Sequence, residues 1–175
     1  LLERAPAGCP GVVLVGHSIG GAISVHLGAS ATSWPLLGLS IHGIGTATPP
    51  HLANVWHEAP PLPTVLVPEE ARAALMYGPA WTREADIVAR AAHTTGPVPR
   101  GELLEVYDTW PADAPRLAAG VRVPVQCAMA EFEALWTVDR DRLDAFARLF
   151  TGAPFLDAWL FRGVGHNIDH HHAGR

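Results

Sequence analysis

The segment Gly11–Gly21 constrains this chain more than any other. Val12-Val13-Leu14-Val15 is a compact apolar run rich in β-branched residues, and Gly16-His17-Ser18-Ile19-Gly20-Gly21 follows it without a break. A short run of this kind predicts a strand buried on both faces of a sheet. Beyond it, Ile19, Ile23 and Leu27 recur every four residues, the spacing of one apolar helix face, and Gly28 with Ser30 to Ser33 marks the exit. Leu36 to Ile41 is a second strand-like run, closed by Gly43 and Gly45. Strand, helix and strand in such close succession make a parallel unit, because parallel neighbours require a crossover connection.

Gly16-His17-Ser18-Ile19-Gly20 has the G-x-S-x-G pattern of a nucleophile elbow, and it stands where that pattern has meaning, between a strand and a helix. A turn this sharp holds the serine in a strained conformation, and side chains at Gly16 or Gly20 are expected to collide with neighbouring elements. The helix that starts at Ile19 aims unpaired backbone N–H groups at whatever binds over Ser18, so Ile19 N–H is the expected oxyanion donor. The plainer reading of the same residues is a glycine-rich turn with a capping serine.

A serine hydroxyl is a poor nucleophile unless a base removes its proton during attack. Of the ten histidines, His166 is the outstanding candidate, since it sits in Gly163-Val164-Gly165-His166 directly after the last strand-like run. His17, His42, His51, His57 and His93 read as packing or surface residues. A carboxylate must in turn orient the imidazole. No acid follows Leu36–Ile41, whereas Ala130-Glu131-Phe132-Glu133 offers two after the Val123–Met129 run, and Asp139 stands further on.

These features together resemble the α/β-hydrolase family: the elbow, Val123-Pro124-Val125 leading to the acid loop, and the Gly-x-Gly-His ending. The resemblance implies an α/β fold with a mostly parallel sheet, flanking helices and an inserted helical cap, and a triad in the order Ser, acid, His. It implies Glu133 as the acid, because the family's loop commonly reads Gly-Glu-x-Asp, with Glu131 as the alternative. The activity implied is a serine hydrolase working on an ester, thioester or related carbonyl through an acyl-enzyme, with no cofactor. An acyltransferase with the same triad and a non-catalytic binding protein of the same fold are the alternatives. Only 17 residues precede Ser18, whereas the family places several strands and a second oxyanion donor there; the resemblance therefore implies a piece of a longer protein.

Between the two core segments, 1–45 and 120–175, residues 46–119 change character. Prolines cluster at Pro49-Pro50 and Pro60-Pro61-Leu62-Pro63, and the helical patterns Glu69–Met76 and Thr82–Ala92 are short. This is the expected cap. Its aromatics Trp56, Tyr77, Trp81, Tyr107 and Trp110 are candidates for lining a pocket, which implies a small-molecule substrate with an apolar portion. Strand-like sequence returns at Val121–Met129 and Phe155–Phe161, with Leu143, Phe146 and Phe150 at helical spacing between them.

Composition narrows the class further. Hydrophobic residues make up 49% of the chain, enough for a packed core, and the net charge is −5 with all twelve cations arginine and no basic run. Nucleic acid is excluded as an expected partner. No apolar stretch approaches the roughly 20 residues of a membrane span, and Leu1–Pro10 lacks the charged and apolar regions of an export signal. Cys9 and Cys127 read as buried free thiols. His166 and His170 are one helical turn apart, a spacing known from metal sites, but Gly165 and the lack of patterned acidic or cysteine ligands favour a polar helix start, with Asp169 suiting its dipole.

Overall fold

A computed structural model of the chain describes residues 8–93 and 95–174, and most of the stretch Leu1–Pro10 lies outside the described residues. The predicted first unit forms as β1 (Val12–His17), α1 (Ile19–Ala29) and β2 (Leu36–His42). Next come α2 (Val55–Glu58), the two-residue strand β3 (Thr64–Val65), α3 (Glu69–Tyr77), α4 (Ile87–Ala92), β4 (Val98–Pro99) and α5 (Arg100–Leu104). A π-turn, Glu105–Thr109, leads into α6 (Trp110–Gly120), and β5 (Val125–Phe132), α7 (Arg140–Ala147) and β6 (Leu156–Gly165) complete the order. The main sheet runs β1-β2-β5-β6 with every neighbouring pair parallel, and β3 and β4 form a separate antiparallel ribbon. This is the mostly parallel sheet with flanking helices that the sequence predicts. Parallel pairing brings the carboxyl end of every strand to one rim, so Ser18, Glu133 and His166, which follow β1, β5 and β6, share that rim.

The core lies on one face of the sheet. Leu39, Ile41, Cys127 and Met129 pack there with Ala22 and Val25 of α1, Trp110, Ala114 and Leu117 of α6, and Leu143 and Phe146 of α7. The opposite face is largely open. Val15 pairs with Ser40 and Ser40 with Gln126, which places these three on that face, and Val13 and Val15 are 54% and 71% exposed. Among the described residues no helix covers the outer face of β1, so the expectation of a first strand buried on both faces is not met there. No helix among the described residues is long and apolar enough to cross a membrane.

A further correction follows from how closely α1 approaches the sheet. Ile23 and Leu27, expected on its inner face, are exposed, and the buried positions are Gly21, Ala22, Ser24 and Val25. A Cβ on Gly28 would stand 2.9 Å from Leu39 Cδ1, and one on Gly21 would stand 2.7 Å from Ile44 Cγ2. The contact face is chosen by small size, not by apolar period. Cys127 is buried, and burial pushes its thiol pKa up to about 12, but Cys9 is exposed because it lies ahead of β1 and outside the core. Within residues 46–119, α6 packs into the main core beside α1, anchored by Trp110 Nε1, which donates to the Gly45 carbonyl at 2.7 Å.

Candidate active site

Ser18 occupies the junction of β1 and α1 with φ 55° and ψ −125°, and it is the one non-glycine residue with positive φ among the described residues. The strain is held from both sides: Ser18 N–H donates to the His42 carbonyl at 2.9 Å, and Gly21 N–H donates to the Ser18 carbonyl at 2.8 Å. Gly16 is required by space, since a Cβ there would sit 2.3 Å from Gly20 O and 2.4 Å from Ser24 Oγ. Gly20 is not, because a Cβ there would meet nothing within 4 Å. The expected collision at Gly20 is thus corrected; the second crowded glycine is Gly21. Gly16→Ala should destabilise by about 2 kcal/mol or more, as overpacking does, while Gly20→Ala should be neutral or stabilise by up to about 1 kcal/mol through helix propensity. Urea midpoints of the two variants check this.

Across the rim, Glu133 and His166 form a pair whose side chains are both 0% exposed. His166 Nδ1 lies 2.9 Å from Glu133 Oε1 and 2.8 Å from Oε2, and Oε1 also accepts from Leu135 N–H at 2.9 Å. A carboxylate only accepts, so Nδ1 carries the proton of this bond and Nε2 of the neutral ring carries a lone pair. Nε2 is buried without a hydrogen-bond partner. It is not bonded to the Ser18 hydroxyl, yet Ser18 and His166 line the same cleft. Ile19 opens α1, so its N–H has no acceptor inside the helix.

The other acids are engaged elsewhere. Glu131 accepts from Arg162 Nη1 and from Gly163 N–H, each at 2.8 Å. The backbone bond first and Arg162 second hold its carboxyl below the usual range. Asp139 caps α7, accepting from Arg142 N–H at 2.7 Å.

Two histidines outside the expected set position the His166 loop. His17 Nε2–H donates to the His166 carbonyl at 3.0 Å, with ring centroids 4.6 Å apart. Burial, then the neighbouring His166, lowers the His17 pKa to about 4. His171 is fully buried; its Nε2 accepts from Gly165 N–H at 2.9 Å, which assigns the ring proton to Nδ1 and a bond to Thr82 Oγ1 at 2.8 Å. The Thr82 hydroxyl donates onward to the Pro79 carbonyl at 2.6 Å. Gly165 is pinned as well by contact, since a Cβ on it would lie 2.7 Å from Gly78 N. Of the remaining terminal histidines, His170 stacks on Tyr77 with centroids 5.6 Å apart, and His172 lies 3.6 Å from Glu84.

The depressed His17 pKa gives a stability prediction. Between pH 6.5 and about 4 the unfolded chain binds a proton at His17 that the folded chain does not, so stability falls as pH falls through that window. The loss between pH 7.5 and 5 is about 2 kcal/mol for a shift of this size. His17→Gln keeps a donor for the His166 carbonyl and removes the titration; its urea midpoint should fall less over that range than that of the native chain.

Ser18 stands between two hollows. One, about 220 Å³, is walled by Trp56, Leu75, Leu103, Val106, Tyr107 and Trp136, with His17, Ser18 and Ile19 at its base. It exceeds the roughly 150 Å³ that holds a benzene ring. The other, about 300 Å³ and more open, is lined by Arg72, Tyr77, Asn167 and His170 together with Ser18 and His166. Of the five aromatics singled out in the sequence, Trp56 and Tyr107 line the apolar cavity and Tyr77 the polar cleft. Trp81 is 72% exposed and packs edge-on against Phe132, and Trp110 is buried in the main core, so neither touches either hollow. Trp136, not anticipated, stacks on Tyr107 at 5.4 Å, and burial raises the Tyr107 pKa to about 12.

A parallel sheet with a strained serine at a strand-to-helix turn, followed in order by an acid loop and a histidine loop on the same rim, is the α/β-hydrolase fold. No family model and no curated protein matches the sequence, but solved structures match the fold. A thermophilic esterase from Thermogutta terrifontis superposes with a TM-score of 0.61 at 16% identity, over 93% of this chain and 60% of that one. A monoacylglycerol lipase from Paleococcus ferrophilus gives 0.58 at 18%, over 90% and 60%. The 2-hydroxy-6-oxo-6-phenylhexa-2,4-dienoate hydrolase of a Rhodococcus strain gives 0.54 at 17%, over 94% and 60%. The chain spans about 60% of the length of these three structures.

Proposed function

We propose that this chain carries the catalytic serine, acid and histidine of a hydrolase that cleaves an ester, thioester or related carbonyl through an acyl-enzyme. Ser18 attacks the carbonyl carbon and His166 Nε2 takes its proton. Glu133 holds the imidazole in the Nδ1–H tautomer and stabilises its charged form. Ile19 N–H donates to the oxyanion. Collapse of the tetrahedral intermediate passes that proton to the leaving alcohol or thiol, and water then repeats the sequence in reverse to free the acid. The observation that carries this reading is the doubly bonded, fully buried Glu133–His166 pair, whose Nε2 has no other partner, on the rim that bears a strained serine. A neutral imidazole oriented in this way has no evident structural purpose, whereas a base needs just that free lone pair. The esterase and the lipase among the fold's relatives agree with this chemistry.

The apolar cavity beneath Trp56 and Tyr107 suits an apolar acyl or alcohol portion. A fluorophosphonate probe tests the nucleophile: labelling mapped to Ser18 by peptide mass, and lost in His166→Ala, is expected. A probe that leaves Ser18 unmodified at saturating concentration, on folded protein, ends the reading.

A further inference from the structure

We propose that the cleft on the open side of Ser18 is an anion subsite, with Arg72 receiving a carboxylate of the substrate while an apolar portion fills the opposite cavity. Arg72 is one turn into α3, whose far end packs on the His166 loop through Asn167 N–H, which donates to the Met76 carbonyl at 2.9 Å. Its Nε is buried without a hydrogen-bond partner, and no ion pair among the described residues includes it. Glu69 and Glu70 stand on the same helix and leave it unpaired.

The cleft that Arg72 lines also holds His17, His166 and His170, and among the described residues no aspartate or glutamate lines it. His170 contributes a second orphan, a buried Nδ1 with no partner. A buried donor without an acceptor is costly, and a guanidinium fork matches a carboxylate better than any neutral group. The two hollows share His17, Ser18 and Met76. A ligand whose carbonyl rests at Ser18 therefore has an apolar side and an anionic side to fill, and an ester that also bears a carboxylate fits both.

Ser18 as the point of attack is carried over from the proposed function, so binding is measured apart from turnover. The probes are 4-phenylbutanoate and its neutral amide, 4-phenylbutanamide, titrated calorimetrically into the native chain, Ser18→Ala, Arg72→Met and Arg72→Lys. The carboxylate is expected to bind at least about tenfold more tightly than the amide in the native chain and in Ser18→Ala, the margin of one charge-assisted hydrogen bond. Arg72→Met should erase the difference and Arg72→Lys should keep part of it. Equal binding of the two probes by the native chain, binding of neither at millimolar concentration, or an undiminished preference in Arg72→Met overturns the subsite. Should Arg72→Met not fold, by circular dichroism, the native ratio and Arg72→Lys decide. A carboxylate preference intact in protein whose Ser18 resists the fluorophosphonate would remove the nucleophile and leave the subsite standing.

Discussion

Replacing Ser18 by glycine is expected to abolish activity and to make the protein more stable. The Ser18 backbone sits at φ 55°, ψ −125°, a conformation that costs a non-glycine residue on the order of 1–3 kcal/mol. Glycine adopts it freely, though it also gains freedom in the unfolded chain, so the net gain for Ser18→Gly should be about 1 kcal/mol. That corresponds to a rise in Tm of roughly 2–4 °C for a chain of this size. The same change removes the oxygen proposed to attack, and kcat/KM on an ester should fall by at least about 10⁴-fold. Ser18→Ala separates the two effects, since it also lacks the hydroxyl but keeps the Cβ and hence the strain. It should be as inactive as the glycine variant and no more stable than the native chain by about 0.5 kcal/mol. Thermal melts and ester kinetics on the three proteins decide the matter; residual activity in Ser18→Ala above the uncatalysed background would transfer the nucleophile's role to another residue.

Glu133 is expected to be nearly as critical, for a different reason. Both its oxygens face His166 Nδ1, and Oε1 also receives Leu135 N–H, inside a region closed to solvent. Glu133→Gln keeps the shape but removes the negative charge that, in the proposed mechanism, stabilises the imidazolium formed as Ser18 gives up its proton. In the comparable serine protease substitution the loss is about 10⁴-fold in kcat, and a fall of about 10³-fold or more is expected here with KM little changed. Glu133→Ala additionally strands two buried donors, at a cost of about 2–5 kcal/mol. Glu131→Gln supplies the contrast. It loses the charge paired with exposed Arg162, while its amide oxygen can still accept from Gly163 N–H, and neither contact reaches the imidazole, so activity should stay within about twofold. Kinetics and urea titrations of the three variants test this assignment, and the reverse ranking of Glu131 and Glu133 would exchange their roles.

What could be read from the sequence was what depends on near neighbours. The strand, turn and helix around Ser18 are specified within twenty residues, and the Gly163–His166 loop announces itself by following a strand. The residues themselves left Glu131 and Glu133 open, and only the family resemblance favoured Glu133, because the choice turns on where β5 ends. Phe132 is its last residue, so Glu131 remains under the strand's alternation, beside Arg162, and Glu133 is released to turn inward.

What covers each face of β1 was not legible for a related reason. An apolar run looks the same whatever packs against it, and the stacking of layers is a long-range property. The freedom at Gly20 and the crowding at Gly21 depend on how near Ile44 comes to α1, a distance no local pattern encodes. The His171 link to Thr82 spans 89 residues, and neither partner advertises the other. Aromatic content marked a wall of some kind over Ser18, but only packing separates Trp56 and Tyr107, which face the cavity, from Trp81 and Trp110, which do not.

The arrangement of the rim carries one last consequence. The Ser18 hydroxyl, the proposed nucleophile, hangs from the end of β1, whereas Glu133 and His166 follow β5 and β6, which pair directly with each other. Carboxylate and imidazole thus share one seam, and the hydroxyl is set against them only through β2, so a change that displaces β2 would spoil its aim and leave the other two groups in register.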